Sequence, residues 1–276
     1  MLLSAKLAPT FEYPVLRDFW RAADELGFHS VANYDHFYGL IDNTDPTLEG
    51  WTSLAAMAAI VQRARVSCMV SGVTYRNPAV LAKMAVTVDH ISGGRLDFGL
   101  GAGWHKAEHH AYGIEFPSAG TRVAMLDEAL TIIRRLWTEE SVTVEGRFYT
   151  VRDALCEPKP LQRPHPPIVI GGEKPKMLQV IARHADEWNM PSHGDVDEWA
   201  RISADLDDAC AEIGRDPADI RRSVQLFIQP AKEGHLEQQL AVLPALQALG
   251  CRHVVLSFYQ PPTARQLQDC AERIAR

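Results

Sequence analysis

The chain has 276 residues, 46% hydrophobic and 23% charged, with Lys+Arg 28 against Asp+Glu 35 for a formal net charge of −7. That composition can bury a large core and excludes disorder as the main state. A mildly acidic chain without a basic run is also a poor non-specific nucleic-acid binder, because such binding needs cations to displace counterions. The apolar runs fall short of the ~20 residues that span a bilayer. The start, MLLSAKLAPTFEYP, lacks the apolar core and cleavage site of a signal peptide. Cys68, Cys156, Cys210, Cys251 and Cys270 are scattered, and no two stand at C-x-x-C spacing. This points to a cytoplasmic protein with reduced thiols and away from a zinc ribbon or a redox pair.

In chain order, Leu2 to Leu7 reads as a strand, and Leu16, Phe19, Trp20, Ala23 and Leu26 recur at helical spacing up to Gly27. Phe28 to Tyr34 is a second strand. After a loop comes an Ala-rich helix from Trp51 to Ile60, then a strand over Val66 to Val70. Pro78 opens the next helix, with Val80, Met84, Val88 and Ile91 as its expected buried stripe, and Ser92-Gly93-Gly94 ends it. Leu96 to Leu100 is a strand, and Val123, Leu126, Leu130, Ile133 and Trp137 mark another amphipathic helix. The rhythm then breaks at a predicted β-hairpin, Val142 to Val144 and Phe148 to Thr150 around Glu145-Gly146-Arg147. The proline-rich segment from Pro158 to Pro167 should be an extended loop.

Alternation resumes with strands at 168–170, 187–189, 223–228 and 253–257. Helices follow them at about 175–184, 196–213, 236–249 and 263–274. Eight strands each followed by a helix require a parallel sheet with right-handed crossovers, and this length favours a closed (β/α)₈ TIM barrel. The α/β fold expected is therefore one barrel domain over 1–276 with a β-hairpin insertion after the fourth unit. In such barrels chemistry sits at the C-terminal strand ends. Those ends carry Asp35-His36, Val70-Ser71-Gly72, Gly101-Ala102-Gly103-Trp104-His105, Gly171-Gly172-Glu173, Asn189, Gln229 and Ser257-Phe258.

Gly171-Gly172-Glu173 follows a β-branched run and opens a helix, where glycines let backbone approach a ligand and free N–H groups favour an anion. A plain strand-to-helix turn gives the same pattern. Gly99-Leu100-Gly101-Ala102-Gly103 fails the dinucleotide fingerprint, since the third glycine position falls on Trp104 or Lys106. It suits instead a floor for a flat ligand, with Trp104 as a wall. His105-Lys106-Ala107-Glu108-His109 matches H-x-x-E-H, which can place two His on one helix face around a zinc ion. The plainer reading is a polar lid helix with His109 and His110 solvated. Asp35 and His36 should point opposite ways by strand alternation, one to a ligand and one bracing the loop. An imidazole at such a position can serve as general acid or base. Trp51, Trp137 and Trp199 fall on helical stripes and belong to the core.

Several segments together resemble the luciferase-like flavin monooxygenase superfamily, in its coenzyme F-420-dependent oxidoreductase branch. They are Ala32 to Phe37, Tyr75 to Lys83, Asp89 to Arg95, Gly99 to Glu108, Ala111 to Ile114, Tyr149, Pro158 to Pro167, Ile170-Gly171-Gly172 and Ala182 to Asp186. The resemblance covers about residues 1–220. It implies a (β/α)₈ barrel with a deazaflavin ring over its mouth, a hydride-transfer oxidoreductase, and a possible homodimer acting on a small organic molecule. It implies His36 as the catalytic, proton-handling group. Asp35, Cys68, Met69, Ser71, Ala102, Gly103, Trp104, Glu108, Gly171, Gly172 and Glu173 would bind the cofactor, the last three taking its phosphate. A non-proline cis peptide behind the ring would fall at Cys68-Met69. No metal is implied. FMN in the same barrel would permit monooxygenation, and two further readings stay open: a zinc hydrolase using His105, Glu108 and His109, and a non-catalytic binder. Substrate-side residues are expected in the loop from Phe37 to Gly50 and near His193, Gln229 and Phe258.

Overall fold

The first strand, LLSAKL, sets the pattern of the wall. Leu3, Ala5 and Leu7 pack into the main core between strands and helices, while Ser4 and Lys6 alternate to the other face and bond across the interior. The computed structural model describes residues 1–40 and 42–274. In order it comprises β1 (Leu2–Leu7), α1 (Tyr13–Glu25), β2 (Ser30–Asn33), α2 (Gly50–Ile60), β3 (Arg65–Cys68), β4 (Ser71–Gly72), α3 (Pro78–Ser92) and β5 (Leu96–Gly101). Next come α4 (Lys106–Ala111), α5 (Ala119–Thr138), β6 (Val142–Glu145), β7 (Thr150–Ala154), β8 (Ile168–Gly171), α6 (Pro175–His184), β9 (Glu187–Ser192) and α7 (Val196–Glu212). The chain ends with β10 (Arg221–Ile228), α8 (His235–Leu240), α9 (Leu243–Ala248), β11 (His253–Phe258) and α10 (Ala264–Ile274).

The strands lie in the order β3-β2-β1-β11-β10-β9-β8-β5, and pairing of β3 with β5 closes them into a ring of eight parallel strands. This is the expected TIM barrel, with the antiparallel β6-β7 hairpin inserted after the fourth unit. No helix among the described residues is long and apolar enough to cross a membrane. Trp51, Trp137 and Trp199 are buried in the core as expected, and the five cysteines are buried.

Five expectations need correction. Val80 and Ile91 are exposed; α3 buries Leu81, Ala82, Ala85, Val86 and Val88 instead. α3 packs against α2 and α5, and its buried face is turned away from positions 80 and 91. The hairpin's second strand starts at Thr150, not Phe148, because the Glu128 carboxylate on α5 accepts the N–H groups of Arg147, Phe148 and Tyr149 and holds them in a turn. The helix expected over 236–249 is two helices, broken before Pro244, whose ring cannot fit against a preceding helical turn. The strand expected over 66–70 stops at Cys68 and resumes as β4 at Ser71. The cis peptide lies between Met69 and Val70, one residue beyond the expected Cys68-Met69 bond.

Candidate active site

At the C-terminal ends of the strands a cavity of about 920 Å³ opens into the barrel mouth. That volume lies within the range of small-molecule and cofactor pockets. One wall is glycine-built. A Cβ on Gly99 would collide with the Cys68 carbonyl oxygen, and one on Gly101 would come 2.8 Å from Val70 Cγ2. The wall can therefore follow the Met69-Val70 interruption only because these two positions carry no side chain.

Asp35 and His36 follow β2, and the two side chains take different partners. Asp35 is fully buried and held bidentately by Arg76, with Nη1 to Oδ2 at 2.5 Å and Nη2 to Oδ1 at 3.0 Å. Ser71 Oγ also donates to Asp35 Oδ2, and Trp51 Nε1 donates to Ser71 Oγ at 2.7 Å. Arg76 is shared with Glu49, which caps α2 through the N–H groups of Trp51 and Thr52. Gly50 passes so close that a Cβ there would stand 2.6 Å from Asp35 Oδ1. Asp35 is thus the hub that fixes the ends of β2, β4 and α2.

His36 instead reaches Glu108 on α4, with Nδ1 2.8 Å from Oε2. Tyr75 Oη donates to the same oxygen at 2.6 Å, and the Phe37 N–H donates to Oε1. Burial opposes ionisation of Glu108, but the bonds from His36, Phe37 and Tyr75 outweigh it and pull the carboxyl down to about 2. An ionised carboxylate only accepts, so His36 Nδ1 carries the hydrogen and Nε2 is the atom left to gain or lose a proton. Tyr75 is pushed up by burial and by Glu108, so it stays a donor.

The H-x-x-E-H residues do not assemble as a zinc set. His109 is buried, not solvated; its Nε2 lies 2.6 Å from Thr74 Oγ1, its Nδ1 2.8 Å from the His105 carbonyl, and its ring meets Phe116 edge-on. Short α4 turns His109 under the loop, while His110 remains exposed. The group close enough to share an ion is His36, His105 and Glu108, with His105 Nδ1 3.5 Å from Glu108 Oε2. A metal there would have to displace the His36–Glu108 hydrogen bond.

Of the other expected residues, Asp35, His36, Met69, Ser71, Ala102, Gly103, Trp104, Gly171, Gly172 and Glu173 all line the cavity. Cys68 does not; its side chain lies in the apolar core. Glu108 stands behind His36. Phe258 is buried against Phe19 in the core and does not line the cavity, and Gln229 borders a separate hollow with Lys232 and Tyr259. His193 packs on Phe227, which lines the main cavity. Sequence reading missed Lys6, Tyr34, Tyr75, Arg76 and Gln225 as site residues. The available signal for Lys6 was a single charge in an otherwise uncharged strand.

A tricyclic ring carrying a phosphate fits this donor set. Gly172 has φ +142°, and a Cβ there would strike Met177 Cγ; Gly103 has φ +76°, and a Cβ there would meet Thr74 Oγ1 at 3.0 Å. Both positions keep backbone bare at the cavity edge. Beyond Gly172, α6 begins with Lys174 as a cap that makes no side-chain bond to the helix, and Lys174 and Lys176 both line the cavity. The helix dipole and the Lys176 ammonium there suit a phosphate, while the Lys174 ammonium pairs with Glu173 Oε1 at 2.7 Å.

Residues 3–269 match the luciferase-like monooxygenase family, and the chain belongs to that family. An uncharacterised protein of Mycobacterium tuberculosis is 35% identical over 189 residues, 68% of this chain and 64% of that protein. The match thus spans less than two thirds of that relative's length. An F-420-dependent glucose-6-phosphate dehydrogenase of Microbacterium testaceum is 31% identical over 81% of this chain and 67% of its own. A pyrimidine monooxygenase of a Bradyrhizobium species is 30% identical over 77% of this chain and 60% of its own. The fold is shared with an F-420-dependent secondary alcohol dehydrogenase solved with an F-420–acetone adduct. Its TM-score is 0.85 at 18% identity, covering 99% of this chain and 98% of that one. Two of these relatives are therefore enzymes, one a dehydrogenase and one a monooxygenase, that act on small molecules.

Proposed function

We propose that the chain is a coenzyme F-420-dependent oxidoreductase that moves a hydride to or from a small organic substrate in the barrel mouth. The observation that carries the reading is the His36–Glu108 pair: a histidine at the cavity wall, its Nδ1 tied to a buried ionised carboxylate, beside a glycine-lined opening onto α6. When bound, the deazaflavin supplies the hydride acceptor or donor.

The protein's part is to bind, orient and exchange a proton. The Gly171-Gly172-Glu173 turn, Lys174 and Lys176 hold the phosphate end, and Ala102, Gly103 and Trp104 hold the adjoining chain. Ser71 and Asp35, fixed by Arg76, keep the end of β2 in place. Glu108 and Tyr75 fix the His36 ring, so that Nε2 gives a proton to a carbonyl oxygen or takes one from an alcohol as hydride moves. The apolar wall around Met69 and Val70 excludes water from the transfer.

A second reading, an FMN-dependent monooxygenase on the same barrel, is favoured by the pyrimidine monooxygenase relative. Titrating the purified chain with F-420 and with FMN, followed by fluorescence, separates the two. Micromolar binding of F-420 is expected, and binding of FMN alone sinks the first reading.

A further inference from the structure

Lys6 lies on the interior face of β1, is 5% exposed, and lines the cavity. Its Nζ donates to the Met69 carbonyl at 3.0 Å and to Gln225 Oε1 at 2.9 Å, and stands 5.4 Å from the centre of the Tyr34 ring. An ammonium has three N–H donors, so one remains. Both of its oxygen acceptors are uncharged. A buried cation without a carboxylate is expensive unless something else supplies the negative charge. The Tyr34 hydroxyl does not, because burial pushes it up and keeps it neutral. Cys68 is likewise pushed up by burial. Lys6 itself is lowered to about 8 by burial, which leaves it mostly charged at neutral pH.

A reduced ring bound in the cavity would supply the missing counter-charge. Hydride addition to a neutral flavin or deazaflavin ring brings two electrons and one proton, so the ring gains one negative charge, delocalised over its pyrimidinedione. We propose that Lys6 is the fixed cation that holds this reduced, anionic ring, and so sets the reduction potential of the bound cofactor. Charge placed against the ring is one of the ways a protein tunes such a cofactor. The Met69 carbonyl and Gln225 fix the ammonium in place, so little reorganisation accompanies the change of charge. The inference rests on the reading of the cavity as a flavin or deazaflavin site. Lys6 is here a positioning charge; His36 remains the proton-exchanging group.

The test compares affinities for the oxidised and reduced forms of F-420 and FMN, the reduced forms prepared with borohydride and dithionite. Lys6→Met should weaken binding of the reduced form by about tenfold or more while changing the oxidised FMN form little. Each tenfold in that ratio lowers the two-electron midpoint potential of the bound cofactor by about 30 mV. Gln225→Glu keeps the lysine but gives it a carboxylate, and should shift the ratio the same way, which guards against a Lys6→Met variant that does not fold. Equal loss for both redox forms in these variants, or no loss in either, overturns the role of Lys6 alone. Failure of the wild-type chain to bind any of the four probes overturns both this inference and the proposed function.

Discussion

Glu108 Oε2 receives both His36 Nδ1, at 2.8 Å, and Tyr75 Oη, at 2.6 Å, so one carboxylate oxygen on α4 joins the end of β2 to the segment after β4. It makes a six-residue helix a structural part of the barrel mouth, and it gives His36 a defined hydrogen position.

The Glu108 carboxyl also makes stability depend on pH. Folded, it lies at about 2 against an ordinary 4.5, so its contribution is fully present above 4.5 and is lost as pH falls through 2. The contribution is on the order of 1–3 kcal/mol. Glu108→Gln removes that pH-dependent part. Urea denaturation of both proteins from pH 6 to 3 should show the wild type losing more stability than the variant. Asp97, raised to about 6 mainly by burial, works in the opposite sense but equally in both proteins. Parallel pH curves would show that the carboxyl is not held ionised by its neighbours.

His36→Ala should leave the affinity for F-420 within a few-fold and reduce turnover by about 10²–10⁴-fold, the usual contribution of a general acid or base. Fluorescence titration and a single-turnover assay with a panel of alcohols and carbonyl compounds report the two quantities separately. Unchanged turnover on a substrate found in the panel would remove His36 from its role.

Arg76→Met strands Asp35 with its burial intact. Breaking a buried pair from one side costs about 3–5 kcal/mol. Arg76→Lys should recover only part, because an ammonium cannot reproduce the two bonds of the guanidinium fork. Denaturant midpoints of the three proteins should rank wild type, Lys, Met; a Lys variant equal to wild type would show that charge alone suffices.

Gly99→Ala should be the most damaging glycine substitution, because the new methyl meets backbone, the Cys68 carbonyl, which cannot swing aside. Gly120→Ala is its control: the nearest atom is Lys176 Nζ at 3.9 Å, so this change should be within about 0.5 kcal/mol of wild type. Thermal melts check both. A Gly99→Ala protein that melts like wild type would mean the wall can move.

Much of the barrel was legible because its strands are apolar and its helices begin and end on Pro and Gly. Pro78 and Pro175 stand at helix starts, and Gly93 closes α3 in the left-handed conformation. What escaped were features set by partners distant in sequence. The hairpin register depends on Glu128, and the buried face of α3 on its packing against α2 and α5. In the candidate site, the strand-end rule found His36 and the glycines. Periodicity alone assigns no role to Lys6 or Gln225, which lie 219 positions apart and meet only when the ring closes. The H-x-x-E-H spacing, an alternative in the sequence, does not bring its outer histidines to one point: His105 lies beside Glu108, while His109 meets Thr74.

The wall formed by Gly99, Gly101 and the interrupted strand beside them leaves no room for trial and error. New specificities in such a protein are expected elsewhere on the rim, in the segment after β2 and at the ends of β9 and β10, where Leu40, Pro191 and Phe227 line the opening away from the seam. Diversification is channelled to one side of the mouth while the other is frozen, so a library aimed at altered substrate range is best confined to that permissive arc.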